Sequence, residues 1–293
     1  MPRRPRIHLD GVPLHIVQRG HELPAVPVLK GGIMKLEIIS KFPSGTAHPT
    51  PLLFVHGAWH GAWCWDAHFL DYFSQRGYEV HALNLRGHGE SEGRDKLRWH
   101  RVADYVADVV QVASQLSRPP VVIGHSLGGH VVQKYLESHP APGGVLLASL
   151  PAAGLLASTV RTFMRQPLAM IKANLTLRMY PLVASPEIVR RSFFSAGLSD
   201  EQVVTYWKQM QDESAMAFLD MLMFDLPKPD KVKAPMLVLG GALDQLFHPY
   251  EVEATARAYN APCKIFEGVA HDMMLEPGWQ AVADHILAWL KDR

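Results

Sequence analysis

Three features of the sequence predict an α/β fold with a mostly parallel sheet covered by helices on both faces. Short apolar runs alternate with helix-length periodic segments from about residue 51 onward. The runs are apolar throughout, as in strands buried on both faces, where half-buried strands would alternate. Glycines and prolines punctuate the joins, as at Gly77 and Pro119-Pro120. Strand, helix and strand repeated in this way can bury their apolar surfaces only as layers around such a sheet.

The elements follow in order. Leu52-Leu53-Phe54-Val55 reads as a buried strand, and a helix pattern over 65–75 runs until Gly77 stops it. Residues 79–85 form the next strand, ending in the loop Arg86-Gly87-His88-Gly89-Glu90-Ser91. Val102, Tyr105, Val106, Val109, Val112, Ala113 and Leu116 share one face of a helix. Further strands are expected over 121–123, 144–150, 235–239 and 264–266, with a closing helix over 279–290.

Two regions break the pattern. Residues 151–230 contain no strand-like run, and about 80 residues is too long for a simple connection, so a helical cap inserted into the core is expected. Seven of the 12 methionines fall there, among several aromatics, so the cap should also roof an apolar pocket. Residues 1–34 read as a peripheral N-terminal extension, with a hairpin over 7–17 around Asp10-Gly11. The core is then 35–150 together with 231–293.

Composition narrows the function. With 48% apolar and 19% charged residues this is an ordinary soluble composition, and a formal charge of +1 gives no case for nucleic acid or an anionic membrane as the main partner. No apolar run approaches the roughly 18 residues of a membrane span, and no secretory signal is evident. Cys64 and Cys263 are the only cysteines, so no disulfide framework is indicated, and a cytoplasmic location is expected.

The chemistry centres on Gly124-His125-Ser126-Leu127-Gly128, which follows an apolar strand and opens a helix. Glycines on both sides of a serine leave room for a strained turn that projects the hydroxyl from the sheet's carboxyl edge, in the manner of a nucleophile elbow. A serine nucleophile needs a base, and the base an orienting acid. Of 16 histidines, His271 stands on the loop after the last strand, and Asp244 closes Leu237 to Ala242 plus Leu243 at another strand end. Asp225 and Asp272 are the rival acids. His56 and His60 have i, i+4 spacing without a helix, so no zinc pair is expected. The backbone N–H groups of Ala58 and Leu127 are the candidate oxyanion donors, and Trp59, His125, Phe218 and Met221 the candidate pocket residues.

Together, His56-Gly57, Arg86 to Ser91, Gly124 to Gly129, Asp244 and His271 resemble the α/β-hydrolase superfamily across 35–293. His56 to Trp65 looks closest to the methylesterase and hydroxynitrile lyase branch. Lyases of that branch carry a lysine after the catalytic histidine and a threonine after the first histidine of this loop. Here Asp272 and Gly57 stand there, which argues against cyanohydrin cleavage. Relatives that displace halide or open epoxides have aspartate at the elbow, where this chain has Ser126.

The resemblance implies an α/β-hydrolase fold and a Ser126-His271-Asp244 triad that cleaves a medium-sized apolar ester or lactone through an acyl-enzyme. Neither a metal nor an organic cofactor is expected, and the chain should act as a monomer or homodimer. The same residues could serve a C–C bond hydrolase or a cofactor-free perhydrolase. A ligand-binding receptor of this fold is the non-enzymatic alternative.

Overall fold

The computed structural model describes residues 14–17 and 34–291. Its eight strands are β1 (Leu14–Val17), β2 (Leu36–Lys41), β3 (Leu52–Val55), β4 (Val80–Leu83), β5 (Val121–His125), β6 (Gly144–Leu147), β7 (Met236–Gly241) and β8 (Cys263–Phe266). They form one sheet in the order β1-β2-β4-β3-β5-β6-β7-β8. Strands β3 to β8 run parallel, β2 is antiparallel to β4, and β1 pairs parallel with β2. Apart from Leu14–Val17, the hairpin expected over 7–17 lies outside the described residues.

The chain passes from β3 to β4 on one side, then crosses to β5 on the other. The connections after β3 and β5 therefore leave in opposite directions and open a crevice at the sheet's carboxyl edge. That crevice is where an α/β sheet can hold a ligand.

Continuous burial explains the apolar strand sequences: every residue of β3, β4, β5, β6 and β7 is buried. Phe54 of β3 packs its ring 5.1 Å from Trp65 and 5.8 Å from Phe73, which fixes the crossing of the first helical layer. The helix expected over 65–75 is two helices, Trp63–Asp66 and Phe69–Ser74. The break at His68 turns that ring flat against Trp279 of the last helix, 4.7 Å away.

Between β6 and β7 the chain is helical, from Leu156–Arg165 and Pro167–Thr176 through to a π-turn at Asp220–Phe224. Polar side chains tie this segment to the loops after β4. The buried Asp220 accepts from Arg101 Nε at 2.8 Å and from the Val102 N–H at 3.0 Å, at the start of the helix Val102–Ala113. Glu213 accepts from the Tyr105 hydroxyl at 2.7 Å and meets His88 Nε2 at 3.0 Å. Gln211 donates to the Gly87 carbonyl at 2.9 Å and accepts from the Gly89 N–H at 3.1 Å. The Arg86 to Ser91 loop therefore anchors the segment above the crevice.

Two buried histidines brace the framework in the neutral form. His56 donates from Nδ1 to the Gly57 carbonyl at 2.8 Å and accepts at Nε2 from the Leu85 N–H at 3.1 Å, locking β3's exit to β4's. Burial, reinforced by the nearby His88 ring, pushes its pKa down to about 3. His130 donates to the Asp225 carbonyl at 3.0 Å, and burial takes its pKa to about 4.

Unfolded, both rings regain the ordinary value of 6.5. Below that pH the unfolded chain binds protons that the folded one refuses, so stability falls as pH falls. At pH 5.5 the loss should be on the order of 1 kcal/mol for each ring. Urea titrations at pH 7.5 and 5.5 will show it, and His130→Gln should shrink the drop by about one ring's share. An undiminished drop in that variant would refute the assignment.

Candidate active site

The serine turn is built by close approach. Ser126 sits at φ 52°, ψ −117°, between β5 and the helix Leu127–Leu136. That left-handed backbone costs about 1–3 kcal/mol, and the surroundings hold it. Its N–H donates to the Leu147 carbonyl at 3.1 Å, and its own carbonyl accepts from the His130 and Leu150 N–H groups. A Cβ on Gly128 would lie 2.3 Å from the Val55 carbonyl oxygen and 2.4 Å from that of His56, and one on Gly124 would lie 2.4 Å from the Gly128 carbonyl oxygen. Only glycine lets the helix start come that near β3, which explains the sequence that flanks the serine.

The loop after β7 carries Asp244, and the loop after β8 carries His271. The Ala242 N–H donates to the Phe266 carbonyl and the Leu243 N–H to that of Val269, both at 2.9 Å. Gly241 makes the crossing possible, since a Cβ there would lie 2.3 Å from the Val269 carbonyl oxygen. So joined, the loops bring His271 Nδ1 within 2.8 Å of Asp244 Oδ2. The other Asp244 oxygen accepts from the Leu246 and Phe247 N–H groups at 2.7 and 3.0 Å. The carboxylate is buried and saturated, so its orientation, and with it the imidazole's, is set by backbone.

His271 lies among aromatic rings, with Phe247 at 5.4 Å, Phe193 at 5.6 Å and His125 at 4.8 Å. Its Nε2 forms no hydrogen bond among the described residues, nor does the Ser126 hydroxyl. Phe193 and Phe247 also line a cavity of about 230 Å³ that reaches Ser126, Leu127, Ala58 and Trp59. Neither the Ala58 nor the Leu127 N–H donates a hydrogen bond among the described residues. Both are therefore available to an oxygen held beside Ser126.

Of the residues expected in the pocket, Trp59, Phe218 and Met221 line this cavity. Trp59 and Phe218 stand ring to ring at 5.4 Å, and Trp59 Nε1 donates to the Met179 carbonyl at 3.2 Å. His125 does not line it. Because it precedes the turn, its side chain points beneath the site, fully buried, and donates from Nε2 to the His271 carbonyl at 3.1 Å. Burial, and then the neighbouring His271, hold its pKa well below the usual value. The expectation of a pocket role for His125 is thus corrected to one of support for the His271 loop.

The rival acids are engaged elsewhere. Asp225 pairs with Lys134 at 2.9 Å. Asp272 is buried and meets His60 Nε2 at 3.0 Å, while His60 Nδ1 faces the Ala58 carbonyl at 2.7 Å. Oxygen atoms face both nitrogens of His60, an arrangement that favours the protonated ring. Burial alone would lower its pKa, but the Asp272 carboxylate outweighs burial and raises it. The ligand atoms of His125, His271 and Asp272 fall within 4.8 Å of one another, close enough to hold a cation. Two of those side chains are already committed to hydrogen bonds with protein oxygens. His60 as the partner of Asp272, and Phe193 and Phe247 around His271, left no signal in the sequence, because each contact joins distant segments.

Known proteins resemble this chain in sequence and in fold. A non-heme chloroperoxidase of Burkholderia pyrrocinia is 29% identical over 249 residues, covering 78% of this chain and 88% of that one. A bifunctional esterase/perhydrolase of Acinetobacter calcoaceticus is 26% identical over 252 residues, covering 76% and 86%. The solved structure of a thermophilic esterase from Thermogutta terrifontis matches with a TM-score of 0.69 at 19% identity, over 93% of this chain and 99% of that one, a likeness of fold. The sequence model described as "Alpha/beta hydrolase family" matches residues 52–285, and the chain belongs to that family.

Proposed function

We propose that this hydrolase cleaves carboxylic esters or lactones of medium-sized apolar substrates through an acyl-enzyme on Ser126, with His271 as base and Asp244 as its orienting acid. The observation that carries the reading is the saturated Asp244 carboxylate on His271 Nδ1, which leaves Nε2 as the basic nitrogen of a ring packed between cavity-lining aromatics. Ser126 Oγ attacks the carbonyl carbon as its proton passes to His271 Nε2. The oxyanion accepts from the Leu127 and Ala58 N–H groups. Collapse expels the alcohol, which takes the proton from His271. Water, deprotonated by the same ring, then attacks the acyl carbon, and the acid leaves as Ser126 regains its proton. Asp244 holds the Nδ1–H tautomer and the transient imidazolium throughout.

In this reading residues 151–230 are a cap on the core. Its Phe218 and Met221 supply the apolar wall for an acyl chain, and Trp59 the opposing face. A second reading has support in the esterase/perhydrolase among the relatives: hydrogen peroxide in place of water would attack the acyl-enzyme and release a peracid. Peracid titration with peroxide present separates the two products.

Ser126→Ala should lower ester turnover by at least about a thousandfold while leaving the thermal melt unchanged, as for other triad nucleophiles. A variant that keeps a tenth of the activity would end the assignment. Phosphonate labelling followed by peptide mapping should find Ser126 alone.

Asp244→Asn should lower kcat by a factor on the order of 10³–10⁴, because the amide favours the wrong His271 tautomer. Asp225→Asn, which removes one of the two carboxylate partners of Lys134, should change kcat no more than a few-fold. The reverse order of damage would place the acid on the cap.

Across p-nitrophenyl esters, kcat/KM should rise about fourfold per methylene until the cavity is full, then fall. Phe218→Ala should move that optimum to longer chains with acetyl ester turnover little changed. An unmoved optimum would put the acyl chain elsewhere.

A further inference from the structure

The helices Leu156–Arg165 and Pro167–Thr176 leave most of their large apolar side chains in solvent. Thirteen large hydrophobic side chains are exposed among the described residues, and seven of these fall on this pair, so the exposure is concentrated. On the first helix Val160, Phe163 and Met164 face solvent, and on the second Leu168, Ile171 and Leu175 do, at helical spacings that place each set on one face. Met164, Leu168 and Leu175 are 77, 81 and 82% exposed, as open as apolar side chains of a folded domain become. Toward the cavity the first helix turns Ser158, Thr159 and Thr162, and the second Met170 and Asn174. Helices that bury only Ser158 and Ala173 while presenting seven large apolar side chains outward have another apolar phase to meet.

Charge identifies that phase. Between 151 and 186 the chain carries Arg161, Arg165, Lys172 and Arg178 and no acidic residue. Arg161 is committed to Glu251 and the Leu246 carbonyl, and Arg165 to Gln245. Lys172 and Arg178 are exposed, and Lys172 shares the face of Leu168, Ile171 and Leu175. The whole-chain charge of +1 conceals this local excess. A second copy of the chain fits poorly, because a two-fold interface sets the same cations against each other. An anionic bilayer satisfies both features at once, the aliphatics entering the headgroup boundary and the cations meeting phosphate.

We infer that this helix pair is a docking surface for anionic phospholipid membranes, on which the protein lies without spanning. No helix among the described residues is long and apolar enough to cross one. The same helices wall the cavity, so docking would set its mouth at the lipid surface. The surface stands whether or not the hydrolase reading does.

Co-sedimentation of the purified full chain with vesicles of phosphatidylcholine, with and without phosphatidylglycerol, tests the inference. The protein should bind the phosphatidylglycerol vesicles in a salt-sensitive manner. Phe163→Ser, Leu168→Ser and Leu175→Ser combined should weaken binding at least about tenfold, with turnover of soluble p-nitrophenyl acetate and circular dichroism unchanged. Should that variant fail to fold, Lys172→Glu with Arg178→Glu must weaken binding to phosphatidylglycerol vesicles instead. Ser126→Ala should bind as the wild type does, which separates a failed hydrolase reading from a failed docking surface. Absence of vesicle binding, binding that survives both sets of substitutions, or a solution dimer that the triple variant dissociates would each overturn the inference.

Discussion

The contact between the start of the helix Leu127–Leu136 and the end of β3 governs the rest of the site. Gly128 stands where any side chain would strike the Val55 and His56 carbonyls, so the helix enters at a distance that no other residue permits. That approach forces Ser126 into its left-handed turn. It also aims the first free N–H of the helix at the crevice, next to the loop that offers Ala58. The local cost is recovered across the buried strands on either side, where β3 and β5 pair in register from Leu52 and Val121 onward. The Ser126 turn and the free Leu127 N–H are thus consequences of one packing constraint.

Beneath that surface the protein keeps its buried carboxylates apart by giving each its own partner. Asp244 takes His271 and two backbone donors, while Asp272, next in sequence to His271, is held by the His60 ring. A buried carboxylate without a partner would compete for the His271 ring or take up a proton itself. The neutral His125 lies between the two arrangements, within 3.6 Å of Asp272 Oδ1, and fixes the His271 backbone. Asp272 thus makes no hydrogen bond to the His271 ring. His60 ties it to the carbonyl of Ala58, which lines the cavity beside Ser126.

How much of this was legible in the sequence depended on how local its cause was. The alternation of apolar runs and the glycines around Ser126 act within a few residues, and β3, β5, β6, β7 and β8 stand where those runs occur. Asp244 and His271 could be singled out because parallel strands bring all their carboxyl ends to one edge, whatever lies between them in sequence. His125 was misplaced because sequence adjacency to Ser126 says nothing of side: in a strand, neighbours point to opposite faces. Contacts such as His60 with Asp272, 212 residues apart, or Asp220 with Arg101, 119 apart, depend on tertiary geometry that no spacing encodes.

The helices at 156–176 show the same limit in another form. Their period was readable, and Val160, Phe163 and Met164 fall on one stripe as any amphipathic helix would have it. Periodicity identifies a stripe but not the side on which the core lies. In the structure Thr162 and Gln166 turn to the cavity, whereas Phe218 and Met221, from a later part of the segment, bring the apolar wall next to Ser126. The cavity lining is therefore mixed beneath the two exposed helices, where the Thr159 and Thr162 hydroxyls stand among Leu155, Met170 and Leu177. An entirely apolar ligand would strip water from those two hydroxyls with nothing to replace it, at a cost of roughly 1–3 kcal/mol for each unpaired group. They thus set a limit to apolar selectivity that the methionine-rich composition of the segment alone would not suggest.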